Sequence, residues 1–471
     1  MTTRHVQHLT IEERRRHGKE AANRTPAAAH RRWVPATGRP DPVALLEEQD
    51  RTREQDLVPV RHGRMMVSPF TFYRGAAKVM AADLAATPTA GLMVQMCGDA
   101  HLSNFGGYAS PERHLVFDLN DFDETLPGPF EYDVKRLAAS FTIAAQNNGF
   151  ARHDVKAVTL TSVAGYRTAM QQFAQMGTME LWYAHLSEEE VRAGAIATLK
   201  GKRASKELRR GEKNIDKAHT RDSLQALSKL AEHVDARYRI VSQPPVVIPA
   251  RDFGPGHAMS MEEVQELIDD QFHAYRETLQ HDRRHLLERF HVEDAARKVV
   301  GVGSVGTRAF IVLLQGRDEQ DPLFLQVKEA TRSVFEDHLP KSRFRQHGQR
   351  VVQGQRMMQA SSDIFLGWTR GLDTSRHFYW RQLRDMKGSA LVDEMSPTMM
   401  GYYAKLCGWT LARAHARSGD AVAIGEYLGE SEEFDRAITN FAKRYARQNE
   451  RDHHALVQAV GSGRLHAETG V

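Results

Sequence analysis

The chain has 471 residues, of which 41% are hydrophobic and 26% charged, values that are ordinary for a globular protein of two or three domains. Its formal net charge of +4 is nearly balanced, so bulk charge does not indicate a nucleic-acid or membrane partner. The apolar runs are too short to span a bilayer, the N-terminus lacks the apolar region of a secretory signal, and the two cysteines form no disulfide framework. We therefore expect a cytoplasmic protein.

Composition divides the chain into five regions. Residues 1–60 are polar and rich in Arg, His and Pro, which predicts a partly disordered arm, with a nucleic-acid-binding arm as the alternative. Residues 61–295 have mostly helical periodicity with a few short strands. Residues 296–390 are rich in strand-forming residues, residues 391–460 are again helical, and residues 461–471 are a tail.

The strands are predicted at four places. Leu92–Met96 is a short apolar run, and His114–Leu119 alternates apolar and polar residues. Val299–Ala330 predicts two or three strands with turns at its glycines, and Arg376–Leu383 is aromatic and strand-like. We expect the short strands to place the polar residues that follow them.

The most informative segment is MCGDAHLSNFGGYASPERHLVFDLNDFDET, Met96–Thr125. Its carboxylates would repel each other unless a cation or solvent neutralises them. Asp99 and Asn104 flank a loop after one strand, and Asp121 and Asp123 follow the next strand. An Asp that accepts a hydroxyl proton, an Asn that holds a metal and an Asp that bridges metal and phosphates are the set used in phosphoryl transfer. Their hard oxygen atoms suit Mg²⁺.

Two other interpretations of this acidic segment stay open. It could be a loop that binds Ca²⁺ or simply forms a turn. It could also belong to a hydrolase that binds a transition metal through His101 and the carboxylates, although no second ordered His–Asp pair lies nearby in the sequence.

A glycine motif lies in the second half of the chain. Gly301, Gly303 and Gly306 match G-x-G-x-x-G, but the apolar run Ala309–Leu314 and then a turn follow them. A dinucleotide-binding motif needs a helix at this point, so the pattern predicts a hairpin instead. A glycine-rich hairpin can fold over nucleotide phosphates while a lysine on the next strand contacts them, and Lys328 is in that position.

Side chains along a strand alternate between its two faces, and this alternation predicts the face on which Lys328 lies. Lys328 shares one face with Phe324 and Gln326, which we expect to be the cleft side. The alternative is an ordinary glycine-rich hairpin with a surface lysine.

These motifs carry a family resemblance. The run CGDAHLSNF…LNDFDE…GPFEYDVKRLA resembles the H-G-D-x-H-x-x-N…D-F-D…D-L-A pattern of aminoglycoside and choline phosphotransferases, which share the protein-kinase-like fold. From about Asp41 to Arg451 the chain is also similar to a bacterial family, domain of unknown function 2252 (DUF2252), which is associated with the kinase-like superfamily. The resemblance implies an α+β, two-lobed fold with a largely helical C-lobe, in which 61–295 and 391–460 form the C-lobe and 296–390 the nucleotide-binding lobe.

The resemblance also implies roles for single residues. Asp99 would be the catalytic base and Asn104 a metal ligand. Asp121 would bridge the metal to the phosphates, Asp123 would be a second ligand, and Lys328 would contact the phosphates as a catalytic and nucleotide-binding residue. The implied cofactors are ATP and Mg²⁺.

Further roles concern the rest of the cleft. Asp133 would brace the catalytic loop, Leu411–Ala416 would match the helix that precedes this loop, and FYWRQLRDMK, Phe378–Lys387, would be the hinge beside adenine. The other implied nucleotide contacts are Gly301, Gly303, Ser304, Gly306 and Gln382.

The chain departs from the family pattern in its residues. Cys97 stands where the phosphotransferases have His. The helix after Lys328 has no Glu for the usual Lys–Glu ion pair, so that Gln349, Gln353 or Glu336 would have to replace it.

The chain also departs from the pattern in its order. The glycine loop and Lys328 follow the catalytic loop instead of preceding it, which predicts a circular permutant. Lys328 should then lie within roughly 10 Å of Asp121, and Leu411–Ala416 should pack near Met93–Asp99.

The sequence thus predicts a phosphotransferase that uses ATP and Mg²⁺ and acts on the hydroxyl of an unidentified small-molecule or protein acceptor. A nucleotide-binding pseudokinase that regulates a partner, or a nucleotidyl transferase, are the alternatives. No membrane or nucleic-acid partner is expected.

Overall fold

A computed structural model describes residues 8–199, 202–221, 223–234, 237–252, 261–299, 301–371, 375–383 and 386–470. Residues 1–7 of the predicted arm, residues 384–385 of the predicted hinge and residue 471 of the tail lie outside the described ranges. The described chain is an α+β protein with antiparallel sheets. Within these ranges no helix combines the length and the apolar character needed to cross a membrane.

The α-helices and β-strands have the following bounds. The α-helices are α1 Ile11–Arg24, α2 Pro42–Asp50, α3 Val58–Met66, α4 Pro69–Gly75, α5 Ala77–Ala85, α6 Phe130–Asn147, α7 Arg152–Phe173, α8 Thr178–Tyr183, α9 Glu188–Thr198, α10 Lys202–His219, α11 Ser223–Leu230, α12 Met261–Arg276, α13 His281–Leu287, α14 His347–Met358, α15 Pro397–Ser418, α16 Ala421–Leu428 and α17 Glu433–Gly461. The strands are β1 Met93–Met96, β2 Phe105–Ala109, β3 Leu115–Leu119, β4 Leu126–Pro129, β5 Leu186–Ser187, β6 Ala231–Val234, β7 Arg237–Ile240, β8 Val247–Pro249, β9 His291–Lys298, β10 Ala309–Gln315, β11 Pro322–Glu329, β12 Gly367–Arg370, β13 His377–Gln382 and β14 Gly388–Ser389.

The strands form two sheets and two separate pairs among the described residues. The larger sheet has the order β12-β13-β11-β10-β9-β8, and the smaller has the order β14-β2-β3-β5. Strands β1 and β4 pair with each other, as do β6 and β7. The predicted strands at 92–96, 114–119 and 376–383 are confirmed as β1, β3 and β13, and the segment 299–330 contains two of its predicted two or three strands, β10 and β11.

The larger hydrophobic core lies among the helices. Helix α6 is buried from Phe130 to Ala145, because α7, α15 and α17 pack around it. Leu137, Phe141, Leu411 and Phe441 are among the side chains that fill this core. The helix also buries charged residues near its start, Glu131, Asp133, Lys135 and Arg136, and Asp133 and Arg136 belong to the candidate site described below.

A second core supports the larger sheet. Tyr275 of α12 stacks on Trp380 of β13 with 4.5 Å between ring centroids, and Leu325 of β11 belongs to the same cluster. This packing fixes β11 and β13, the two strands that carry residues of the candidate site.

The predicted partly disordered arm contains two helices in its described part. Thr10 and Glu13 form a capping box at the start of α1, and Asp41 caps α2. Gly18 and Ala21 of α1 are buried, and a Cβ built on Gly18 would lie 2.4 Å from the carbonyl oxygen of Ala423. The small residues on one face let α1 pack closely on α16, although the composition of the segment is polar.

Candidate active site

A polar cleft of about 750 Å³ lies between the acidic segment, the glycine loop and strand β11. Most of the residues singled out from the sequence line this cleft. They are Asp99, Asn104, Asp121, Asp123, Gly301, Gly303, Ser304, Lys328 and Gln382.

Lys328 is the link between the two halves of the chain. Its Nζ donates a hydrogen bond to Oδ2 of Asp123 and lies 3.9 Å from Oδ2 of Asp121, so the predicted proximity to Asp121 is confirmed. The lysine side chain is 3% exposed. Burial alone would lower the pKa of Lys328, but Asp121 and Asp123 outweigh burial and raise the pKa above the usual range. Lys328 therefore stays a cation at the floor of the cleft.

Asp123 is fully engaged by protein groups. Tyr379 donates its hydroxyl hydrogen to Oδ1 over 2.8 Å, while Lys328 and the Ser304 hydroxyl, at 3.4 Å, donate to Oδ2. Burial would raise the pKa of Asp123, but Lys328 and Tyr379 lower the pKa below its ordinary value. In this arrangement Asp123 acts as the partner of Lys328.

Asp121 is the more accessible of the two carboxylates. Its side chain is 36% exposed, and its Oδ1 accepts a hydrogen bond from the backbone N–H of Asp123 over 3.2 Å. A carboxylate that faces the cleft with few fixed partners is better suited to a ligand or metal than Asp123 is.

Asp99 forms an ion pair with Arg136 on the other side of the acidic segment. Nε and Nη2 of Arg136 lie 2.7 and 2.6 Å from its Oδ1, and Nε2 of His101 lies 3.7 Å from its Oδ2. Burial raises the pKa of Asp99 to about 6, with Arg136 acting in the opposite direction. Asp99 is thus mostly ionised at neutral pH, yet titrates close enough to it to accept a proton.

The loop that carries Asp99 is braced from helix α6. Oδ2 and Oδ1 of Asp133 accept hydrogen bonds from the backbone N–H groups of Cys97 and Gly98 over 2.8 and 3.0 Å, the bracing role that the resemblance implied. Nδ2 of Asn104 donates to the carbonyl of Asp99 over 2.6 Å, closing the loop. Since the amide nitrogen of Asn104 is engaged, Oδ1 is its atom for a metal.

Two other acids of the segment serve packing. Asp118 is buried, pairs with Arg413, and accepts the N–H of Ala360 over 2.8 Å. Glu124 accepts the N–H of Val334 over 2.7 Å, and burial raises the pKa of Glu124 to about 7. Asp118 is therefore a structural carboxylate away from the cleft, whereas Glu124 supports the neighbouring backbone and also lines the cleft.

The glycine loop joins β9 to β10, which pair as the predicted antiparallel hairpin. Arg53 donates to the carbonyls of Gly303, over 3.0 Å, and Val305, and the N–H of Glu54 donates to Gly306 over 2.7 Å. Gly306 has φ +83° and makes the turn into β10, so it lies outside the lining of the cleft although the sequence grouped it with the nucleotide contacts.

Lys328 uses Asp123 where the sequence suggested Gln349, Gln353 or Glu336 as its partner. Helix α14 instead places the guanidinium of Arg350 beside the backbone of the acidic segment. The guanidinium of Arg350 donates to the carbonyls of Thr125, Asp123 and Thr331 over 2.7, 2.8 and 2.8 Å.

Sequence reasoning missed Arg350, as it missed Arg136 and Arg53. A Cβ built on Gly354 would lie 2.5 Å from Oγ1 of Thr125. A glycine four residues after an arginine in one helix is the signal that could have indicated a close contact there.

The end of α15 lies beside the start of β1. The N–H of Gln95 donates to Oγ of Ser418 over 3.1 Å, and a Cβ built on Gly419 would lie 2.9 Å from the carbonyl oxygen of Met93. His415 contacts Asp133 at 3.2 Å. The predicted proximity of 411–416 to the strand and loop at 93–99 is confirmed.

The donor set of the cleft can be compared with the needs of Mg²⁺. Among the described residues, no group of three or more His, Cys, Asp or Glu side chains is arranged to hold a metal ion by itself. Asp121 and Asn104 offer one carboxylate and one amide oxygen on the cleft lining. Mg²⁺ commonly binds through one or two such ligands together with substrate phosphates and water, so these residues fit Mg²⁺ that arrives with a nucleotide.

A family model described as "Uncharacterized protein conserved in bacteria (DUF2252)" matches residues 53–459. The chain belongs to the DUF2252 family. The range shared with DUF2252 begins at Arg53, which holds the glycine loop, and contains both Asp99 and Lys328. No curated protein and no solved structure matches the chain.

Proposed function

We propose that this DUF2252 protein is a phosphotransferase of circularly permuted, kinase-like fold that uses ATP and Mg²⁺. It transfers the γ-phosphoryl group to a hydroxyl of an acceptor. The observation that supports this most is the meeting of Lys328 with Asp123, 205 residues away in sequence, beneath a glycine loop and in one cleft with Asp99.

The residues divide the reaction among them. Lys328 and the loop at 301–306 bind the phosphates, and Asp121 and Asn104 hold Mg²⁺, which neutralises phosphate charge when bound. Asp99 takes the proton of the acceptor hydroxyl. The acceptor oxygen then bonds to the γ-phosphorus while the bond from that phosphorus to the β–γ bridging oxygen breaks, and ADP leaves.

The order of the elements supports the permutation. In the kinase-like pattern a helix such as α15 leads into the catalytic loop, and here the end of α15 lies hydrogen-bonded to β1, which leads into Asp99. Joining these ends would restore the usual order. Function depends on the geometry of a site and not on the order of its parts in the chain.

One observation favours a second candidate, a nucleotide-binding pseudokinase. Two nitrogen atoms of Arg136 hold Oδ1 of Asp99, and this cation lowers the Asp99 pKa against the larger, raising effect of burial. Helix α14 also contributes Arg350 and not a Glu partner for Lys328.

The test uses ATP labelled at either the γ- or the α-phosphate, with Mg²⁺, purified protein and a cell extract as the source of acceptors. We expect the γ label to move to an acceptor and the α label to stay in ADP. Transfer of the α label would indicate a nucleotidyl transferase, and nucleotide binding without any transfer would indicate the pseudokinase. Absence of binding to every nucleotide, measured by thermal unfolding with Mg²⁺, would refute all three.

A further inference from the structure

The cleft has a strong excess of positive charge. Ten lysine or arginine residues line it against five aspartate or glutamate residues. The basic residues are Arg53, Arg64, Arg74, Arg113, Arg221, Lys229, Lys298, Lys328, Arg381 and Lys387, and the acidic residues are Asp99, Asp121, Asp123, Glu124 and Asp363. This excess of five exceeds the net charge of +4 of the whole chain, so the rest of the protein is slightly acidic while the cleft is basic.

A nucleotide alone leaves part of this excess uncompensated. MgATP carries about two negative charges near neutral pH, fewer than the surplus in the cleft. Low-dielectric walls concentrate the field of such a surplus on whatever enters the cleft. A second anion next to the nucleotide would complete the balance, whereas a polycationic acceptor would be repelled.

Two of the basic residues lie on the wall formed by helices α3 and α4. Arg64 is on α3 and Arg74 is on α4, and both line the cleft. A Cβ built on Gly303 would lie 3.1 Å from the carbonyl oxygen of Arg74, so α4 contacts the glycine loop directly. This wall therefore borders the place where the loop would cover the terminal phosphate.

Arg74 is also close to the predicted base. Burial lowers the pKa of Arg74, and the nearby carboxylates of Asp99 and Asp393 act in the opposite direction. Its Nε is buried and has no hydrogen-bond partner among the described residues. A buried guanidinium nitrogen without a partner costs stability unless a ligand completes its hydrogen bonds.

We infer that the acceptor is a hydroxyl compound that carries a phosphate or carboxylate group, and that Arg74, with Arg64, binds this anion. This deepens the proposed function and rests on it. A guanidinium binds either anion through two parallel hydrogen bonds, which fixes the orientation of the ligand. Anchored at Arg74, the acceptor would present its hydroxyl to Asp99.

Binding of probe compounds to the protein saturated with MgADP tests the inference by calorimetry. Glycerol 3-phosphate and glycerate carry the two anions, glycerol is the neutral control and choline the cationic control. We expect both anions, or one of them, to bind while glycerol and choline do not. Arg74→Gln should weaken anion binding about tenfold or more and leave MgADP affinity within about twofold.

Two variants separate a specific contact from loss of charge or of folding. Arg74→Lys keeps the charge but not the bidentate geometry, and should bind the anions with an intermediate affinity. Lys341→Gln removes the same charge from an exposed residue outside the cleft lining, and should change anion affinity less than about twofold.

Three results would overturn the inference: choline or glycerol bind as well as the anions, neither anion binds, or Arg74→Gln weakens MgADP as much as the anions. If MgADP itself does not bind, the proposed function fails. The same titration on the nucleotide-free protein then decides whether the anion site at Arg74 exists on its own.

Discussion

Asp99 and Asp123 both lie in the cleft and both pair with a buried cation, but their partners come from very different places in the chain. Arg136 follows Asp99 by 37 residues, on the same helix as Asp133, which braces the loop. Lys328 follows Asp123 by 205 residues and belongs to the larger sheet. The end of the cleft at Asp99 is therefore built within one local unit, whereas the end at Asp123 exists only when the sheet packs on the acidic segment.

The largest effect should come from breaking the long-range pair. Lys328→Met keeps the length of the side chain but leaves the Asp123 carboxylate without its cation, which should cost about 3 kcal/mol of the free energy of unfolding and abolish MgATP binding. Urea unfolding with and without MgATP measures both. Asp123→Asn in the same chain should recover part of the stability but not the binding. An unchanged free energy of unfolding for Lys328→Met would show that the pair does not hold the halves together.

Breaking the local pair should affect chemistry more than nucleotide binding, with some loss of stability because Arg136 stays buried without its carboxylate. Asp99→Asn keeps the shape of the loop and removes the base, so we expect turnover to fall about 100-fold or more while MgATP still binds. Rapid-quench transfer assays and calorimetry report the two quantities. Asp282→Asn, an exposed carboxylate of α13, is the control. Equal turnover in Asp99→Asn and the unmodified protein would remove Asp99 from its assigned role.

A substitution of Asp121 separates the proposed metal site from the Lys328–Asp123 pair, which lies at the same end of the cleft. MgATP at a hundredfold excess over its dissociation constant should stabilise the fold by about 2.7 kcal/mol, and Asp121→Ala should remove most of this gain. Stability without nucleotide should change little, because Asp121 is partly exposed. Thermal unfolding over a Mg²⁺ titration gives the comparison. A full MgATP gain in Asp121→Ala would exclude this residue as the metal ligand.

The pH dependence of phosphoryl transfer should report the ionisation of Asp99, at the end of the cleft that Asp99 and Arg136 form. The base must be ionised, so kcat/KM should rise about tenfold per pH unit below the Asp99 pKa of about 6 and level off above it. Burial is the reason that this limb lies above the ordinary range of an aspartate. The residual activity of Asp99→Asn should lack this rise of kcat/KM with pH. A rise centred near pH 4 in the unmodified protein would contradict the raised pKa of Asp99.

The smallest effect is expected at the glycine loop. Gly306→Ala places a side chain at φ +83° with Arg53 only 3.1 Å from the new Cβ, which should cost about 1 kcal/mol. Gly301→Ala meets no atom within 4 Å and should leave the free energy of unfolding unchanged. Denaturant unfolding of both variants tests this difference. Equal losses would mean that the turn at Gly306 is not what positions the loop.

Much of the fold could be predicted from local patterns. The alternation in LFLQVKEA predicted both β11 and the side on which Lys328 lies, because side chains of a strand alternate strictly. The apolar run after the glycines predicted β10, whereas its partner β9 lies before the segment in which strands were predicted. Asp133 at the start of α6 also matched its observed bracing contact.

What could not be predicted depends on which groups meet in three dimensions. The partner of Lys328 was sought at Gln349, Gln353 or Glu336, whereas it is Asp123, which the sequence analysis had assigned to the metal. The helices in 8–60 were missed because their polar composition hides a small-residue face. The guanidinium of Arg136 pairs with Asp99 in the loop after β1. A periodic pattern in the sequence predicts helices and strands but not such a contact between a helix and a loop.

The contact of Arg53 with the glycine loop has a consequence for the entropy that the loop would lose on binding a ligand. A free flap loses conformational entropy when it closes on a ligand, but the carbonyls of Gly303 and Val305 are already held by a guanidinium from the segment between α2 and α3. If the loop binds a nucleotide as proposed, its closure would therefore order little that is not ordered beforehand. The residue that orders the loop in advance lies 250 residues earlier in the chain than the loop it holds, so this preorganisation is itself a product of the tertiary fold.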